Sequence, residues 1–303
     1  ICSGPVALGV IYRRLPIQRR LNNYLADSLN SPMHAHYPQF SQILRVTLPT
    51  LLLAHFVVWP IVGLLSLHAG IIAAECTLLW FVALYIRRHR LIAEDLLLFN
   101  ATPAATLLLT IPVTVCCSLV VAEFDLFLAQ LFDRIDLSMP LSFQKNLLEV
   151  QIIRGLAEVP RGLVTLVLVP TFCEEPLFRG LVFTSLYAHY GPRWALGGSA
   201  LLFAISHFNP WQLIPLFLFG LFLGALVYWT HSIYPAMLAH AVNNLASITG
   251  VNLHTHLGID GIGPSQHLPM PLALLAGLIL LAGLLLLRRQ PAIMPLLVKR
   301  DFS

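Results

Sequence analysis

Uncharged apolar runs dominate the chain, and their lengths and breaks predict most of its elements. No formal charge occurs from Val46 to Ala74, nor from Cys76 to Ile86, which predicts two helices turning at Leu67 to Gly70 with Glu75 just inside the second. A third run, Leu96 to Ala122, has 27 uncharged residues. About 20 suffice to cross a bilayer, so this run spans with tilt. The stretch from Glu123 to Pro160 is mixed, with apolar residues at Leu126, Leu131, Leu147, Val150 and Ile153, and predicts one or two interfacial helices. Spans are then expected near 161–187, 192–209, 211–230, 233–250 and 268–288, giving eight in all. At the other end, Arg13, Arg14, Arg19 and Arg20 open a basic amphiphilic arm, and the start at Ile1 is that expected of a fragment or a processed form.

Composition settles the class. With 57% hydrophobic and 11% charged residues and a mean hydropathy of +0.79, the chain lacks the polar surface to cover a soluble core. The expected fold is all-α, a polytopic helical membrane protein. The net charge of +4 is read as topology, with no nucleic-acid partner. Eight spans place thirteen of the eighteen Lys and Arg inside and only Arg134, Lys145, Arg154 and Arg161 outside, with Arg179 buried. Both termini are then cytoplasmic. Five cysteines, mostly in apolar runs and without a C-x-x-C pair, indicate neither a disulfide framework nor a zinc knuckle.

Against this background one stretch is locally improbable. Cys173-Glu174-Glu175-Pro176-Leu177-Phe178-Arg179 sets three charges inside a run that is otherwise apolar from Leu163 to Leu186. Each ionisable group at bilayer depth costs roughly 2.5–3.5 kcal/mol, so such groups face a bundle interior or a water cavity and mark function. Glu175 and Arg179 form an i,i+4 pair with the acid first, the favourable order. Glu174 lies about 100° round the helix and has no built-in counter-ion. Glu174 is therefore the more basic of the two carboxylates. Pro170 and Pro176 free the carbonyls of Leu166 and Phe172, and a loosened, charged helix at that depth lines a water-accessible pocket.

Two further constellations follow on later spans. Phe203 and His207 share one helical face ahead of the Asn209-Pro210 turn, and His240 and Asn244 are likewise spaced i,i+4. A lone intramembrane histidine is commonly just a hydrogen bond to a neighbouring helix. Imidazole, carboxylate and amide converging in a low-dielectric cavity supply what amide hydrolysis needs: a base for water, a group to hold it and a donor for the oxyanion. A simple ladder of helices would hold His207 and His240 apart along the membrane normal. The Phe208-Asn209-Pro210 turn must sink into the bundle for the site to close.

The Glu-Glu-x-x-x-Arg of Glu174, Glu175 and Arg179, the Phe-x-x-x-His of Phe203 and His207, and the His-x-x-x-Asn of His240 and Asn244 resemble the ordered motifs of the CPBP family. That family comprises Rce1-type CAAX prenyl endopeptidases and bacterial proteins linked to bacteriocin processing and self-immunity. Gly220, Gly224 and the Ser232-Ile-Tyr-Pro235 turn also look like its sequence, and the resemblance covers about Val164 to Ala246. It implies an intramembrane endopeptidase acting on a membrane-associated protein or peptide, prenylated or not, and in a bacterial host a plasma-membrane location. Glu174 would be general base, Arg179 would neutralise Glu175, His207 and His240 would hold water or the substrate carbonyl, and Asn244 would donate to the oxyanion. The chain then divides into a basic arm (1–45), N-terminal helices with an interfacial segment (46–160), the Rce1-like core (161–250), and an outer loop, last helix and tail (251–303). No cofactor is expected.

Rival readings differ in chemistry or class. A zinc-dependent version of the protease would use Glu174, His207 and His240 as ligands, although the H-E-x-x-H helix is absent. Cys173 beside Glu174 is a candidate nucleophile, but a small buried cysteine is commoner. A non-catalytic scaffold or immunity protein would keep the fold without turnover. A transporter would use the buried charges as a relay, and the lack of an internal repeat argues against it.

Overall fold

The computed structural model describes residues 37–258, 267–290 and 292. The basic arm with Arg13, Arg14, Arg19 and Arg20, part of the expected 251–267 loop, and the tail with Lys299 and Arg300 lie outside the described residues. Among the described residues the regular structure is helical. The rods are α1 (Phe40–Gly63), α2 (Leu67–His89), α3 (Ala104–Arg134), the short amphipathic α4 (Leu141–Glu149), α5 (Leu156–Tyr190), α6 (Pro192–Ser206), α7 (Leu213–Thr230), α8 (Tyr234–Leu257) and α9 (Met270–Arg288).

A helix therefore stands near each of the eight expected spans, but a count of eight crossings does not follow. Six of them, α1, α2, α3, α5, α7 and α9, are long and apolar enough to cross a membrane. The other two depart for separate reasons. At 15 residues α6 is about 22 Å long, short of a hydrocarbon core of about 30 Å. The 24 residues of α8 are long enough, but they carry His240, Asn243, Asn244, Asn252, His254 and His256 and are too polar to qualify. Both position a histidine of the expected site: His207 caps α6 and His240 lies on α8. Large exposed side chains on the outer rods, among them Phe56 and Ile61 on α1, Trp80 on α2 and Leu274 and Leu278 on α9, need lipid to cover them.

Several boundaries move from their expected places. The α1–α2 turn falls at 64–66 because Ser66 caps α2, its Oγ accepting from Ala69 N at 3.0 Å, and not at Leu67 to Gly70. Gly70 is instead a contact point: a Cβ there would lie 2.8 Å from the Trp59 carbonyl oxygen, so glycine lets α1 and α2 approach. The third rod begins at Ala104 and not at Leu96. Residues 97–103 form a loop that docks onto the α7–α8 turn, where Asn100 Nδ2 donates to His231 O (2.6 Å), Ser232 Oγ to Asn100 O (2.7 Å) and Ile233 N to Leu98 O (3.0 Å). Hydropathy sees no difference between such an internally satisfied loop and a span. At its other end α3 runs on through Glu123 and Asp125 to Arg134, and α8 runs through Val251 to Leu257, where a loop was expected.

The core is organised round α5. Its middle packs against α2 on one side and α8 on the other, and its C-terminal part packs against α6, which in turn lies along α7. The rod is irregular where proline dictates: two π-helical stretches, Leu163–Leu168 and Pro176–Val182, flank the α-helical Val169–Glu175. Pro170 and Pro176 lack the N–H that an α ladder would use, and the wider turn is the local answer. Buried hydroxyls elsewhere satisfy themselves on the preceding turn, as Thr114 does on Thr110 O (2.7 Å) and Thr184 on Gly180 O (2.6 Å).

Candidate active site

The wide turn after Pro176 keeps Glu175 and Arg179 paired. Arg179 Nη1 donates to Glu175 Oε1 at 3.2 Å, and both residues are fully buried. The guanidinium is held on two further sides: Nη2 donates to Gly220 O on α7 (3.3 Å), and Cζ stands 4.3 Å over the Phe203 ring of α6. A Cβ on Gly220 would meet Ala200 Cα at 3.0 Å, so glycine brings α7 close to α6 and its carbonyl within reach of Arg179. The Gly220-x-x-x-Gly224 spacing is thus packing inside the bundle.

The same Glu175 oxygen takes a second donor. His240 Nδ1 lies 2.8 Å from Glu175 Oε1, with the ring 3% exposed. A carboxylate only accepts, so Nδ1 carries the proton and the lone pair of the neutral ring resides on Nε2. His207 is set in the same way, its Nδ1 donating to the Phe203 carbonyl at 2.8 Å. Phe203 is the platform between them, with ring centroids 4.8 Å from His207 and 5.8 Å from His240, both edge-on.

The separation expected along the membrane normal is closed by the short α6. His207 caps that helix, and Phe208 follows at φ 49, a left-handed conformation that ends the rod inside the bundle. Such a conformation costs a non-glycine residue about 1–2 kcal/mol. The Phe208 ring packs in return 4.9 Å from both His55 and Phe56 of α1. Asn209 is 5% exposed, whereas Phe208 is half-buried and Pro210 exposed, so the turn is covered only in part.

Glu174 faces the other way. It is 7% exposed, its Oε2 has no partner, and it lies close enough to Glu75 on α2 to interact with it electrostatically. Cys173 likewise meets Cys76 of α2. His55 is close enough to interact electrostatically with both Glu174 and His207. Asn244 lies one turn beyond His240 and accepts from Asn243 Nδ2 through Oδ1 (3.4 Å), which leaves its own Nδ2 as the donor. The structure thus joins Glu175, Arg179, His240, Phe203 and His207 directly. Glu174 lies near Glu75 without a hydrogen bond to it, and no hydrogen bond links Asn244 to the histidines or to Glu174 among the described residues.

Glu75 and His55 were not among the expected site residues. Glu75 carried a signal, being the one formal charge between Val46 and Ile86, where the cost of burying a carboxylate applies as it does to Glu174. His55, in an apolar run, had none beyond its polarity. Among the described residues no three His, Cys, Asp or Glu side chains group closely enough to hold a metal ion.

Residues 157–246 match the family of type II CAAX prenyl endopeptidases, Rce1-like. The chain carries an Rce1-like domain. This supports the CPBP family that the three motifs imply, a family whose Rce1-like members are CAAX-type proteases acting on membrane-associated peptides or proteins. No curated protein and no solved structure matches the chain. The Rce1-like domain starts one residue inside α5 and ends within α8, so it contains Glu174, Glu175, Arg179, His207, His240 and Asn244. Glu75 and His55 lie outside it, on the N-terminal helices.

Proposed function

We propose that the protein is an endopeptidase that hydrolyses a peptide bond of a membrane-associated protein or peptide with a water activated by Glu174. One observation carries this reading: both histidines commit Nδ1 to an acceptor and keep a lone pair on Nε2, while the Glu174 carboxyl is left out of the Arg179 ion pair. A water can then give one proton to Glu174 and direct the other at Nε2 of a histidine. Its oxygen attacks the carbonyl carbon, and Asn244 Nδ2 donates to the oxygen that becomes negative. The proton held by Glu174 passes to the leaving nitrogen as the C–N bond breaks, which restores the carboxylate. Glu175 does not titrate in this scheme: with Arg179 and His240 on one oxygen it fixes the imidazole tautomer and orientation. No metal enters the scheme, and both termini face the cytoplasm.

The test is mass spectrometry of membranes with active protein or with Glu174→Gln, looking for a cleaved terminus that requires the glutamate. Candidate substrates include prenylated tails. A terminus that appears equally with both proteins favours a scaffold. Turnover that is abolished by chelators, with stoichiometric metal in the active protein, favours the zinc-dependent version.

A further inference from the structure

We infer that Ser118, on α3 and outside the Rce1-like match, is a positioning residue that fixes which end of the Asn244 amide is free, acting through Asn243. This rests on the reading of Asn244 as the donor to the oxyanion.

α3 packs against α8, and a stripe of hydroxyls at every fourth position runs along it, Thr106, Thr110, Thr114 and Ser118. Inside a helix a hydroxyl ordinarily bonds the carbonyl of the preceding turn. Thr110 and Thr114 do so, on Thr106 O (2.8 Å) and Thr110 O (2.7 Å). Ser118 departs from that habit: its Oγ donates across the helix pair to Asn243 Oδ1 at 2.8 Å. With its oxygen taken, Asn243 turns Nδ2 to the next residue and donates to Asn244 Oδ1 (3.4 Å). That contact occupies the acceptor end of Asn244 and leaves Nδ2 for substrate. The two ends of an amide have nearly the same shape, so a half-turn would exchange donor and acceptor without a steric cost. Reversed, Asn244 would spend its N–H on Asn243 and present lone pairs to the oxygen that becomes negative. Two adjacent asparagines have no preference between these orders, and the serine that heads the chain supplies one. The same face of α3 supports the α6–α7 turn seven residues further on, where Asp125 Oδ2 accepts from Gln212 Nε2 (3.4 Å) and Gln212 Oε1 accepts from Asn209 Nδ2 (2.8 Å).

The test uses the full chain in membranes and a prenylated CAAX peptide, with Ser118→Ala, Ser118→Thr, Asn244→Ala, the double Ser118→Ala/Asn244→Ala variant and, from the same stripe, Thr114→Val. Asn244→Ala is expected to lower kcat about 100-fold, the typical loss of one oxyanion donor. Ser118→Ala should lower kcat about tenfold with KM changed less than about twofold, and Ser118→Thr, which keeps the hydroxyl, should stay within about threefold of wild type. Thr114→Val removes a hydroxyl that serves only its own helix and should leave kcat unchanged. Once Asn244 is alanine, Ser118→Ala should cost nothing further, because the serine acts only through that amide. Wild-type kcat in Ser118→Ala, an equal loss in Thr114→Val, or a tenfold loss that persists without Asn244 overturns the inference. Nuclear magnetic resonance of the protein carrying isotope-labelled asparagine gives a readout without activity. The Asn244 side-chain amide signals, assigned from Asn244→Ala, should shift in Ser118→Ala and stay in place in Thr114→Val, and unmoved signals in Ser118→Ala overturn the inference. Wild-type kcat in Asn244→Ala, or full activity in Glu174→Gln, would instead remove the reading on which the inference rests, and the amide signals would still decide whether Ser118 orients Asn244.

Discussion

The two faces of α5 treat adjacent glutamates in opposite ways. Toward α6, α7 and α8, Glu175 meets a guanidinium and an imidazole and is wholly buried. Toward α1 and α2, Glu174 has no ion pair and lies near another carboxyl and a histidine, while each of the two glutamates keeps one buried oxygen without a partner. A buried charge that is paired and hydrogen-bonded is structural, because removing either member strands the other. A buried carboxyl whose only close partner is another acid is not organised for stability. It holds its place because the packing on the first face over-determines the helix, and it remains able to take up a proton.

The largest effect that separates the faces is on turnover. Glu174→Gln keeps the shape and removes the proton acceptor, so peptide cleavage should fall by about 10⁴-fold while expression and melting stay near wild type. Loss of folded protein in that variant would mean that both faces are structural. Arg179→Ala should do the reverse and remove about 3–5 kcal/mol of stability, because Glu175 is left unpaired in a dry interior, with the Phe203 stacking lost as well. Thermal denaturation in detergent reads this directly, and unchanged melting would mean that water reaches the pair.

The histidines sharpen the boundary between the faces. His207 is bound only to its own helix carbonyl, so His207→Ala should cost about 100-fold in kcat with little change in melting. His240→Ala, which removes a donor from Glu175, should lose activity and stability together. Combining either with Glu174→Gln should add little, since groups that act on one water are not additive. The smallest effect is on packing alone. Gly220→Ala brings a Cβ to 3.0 Å from Ala200 Cα and should destabilise by about 1–3 kcal/mol, lowering melting temperature and yield more than the kcat of the protein that folds.

Much of the architecture was legible in the chain. The helical class followed from hydropathy, and the Glu175–Arg179 pair, the disturbed ladder at the two prolines and the partly sunken Phe208 turn followed from spacing and from the cost of burying charge. Boundaries failed where polar contacts replaced apolar length. Leu97 to Asn100 looked like the start of a span and is instead a loop whose backbone is satisfied by His231, Ser232 and Ile233. The site was legible in its C-terminal half, where each motif lies within one helical turn. It was not legible at His55, and at Glu75 only as a lone charge in an apolar stretch, because a contact across about a hundred positions leaves no periodic mark.

Sequence alone dictated that these helices would sit in lipid and that charges at depth would be gathered inward, since transfer free energies are set by composition and not by neighbours. It also dictated which carboxylate had a cation one turn away. Tertiary structure decided the rest. Only the packing of α2 on α5 puts Glu75 against Glu174, and only the termination of α6 inside the bundle sets His207 and His240 on either side of the Phe203 ring. Hydrogen bonds and ring contacts act over a few ångströms and only along fixed directions, so they exist where helices from distant parts of the chain meet and nowhere in its linear order.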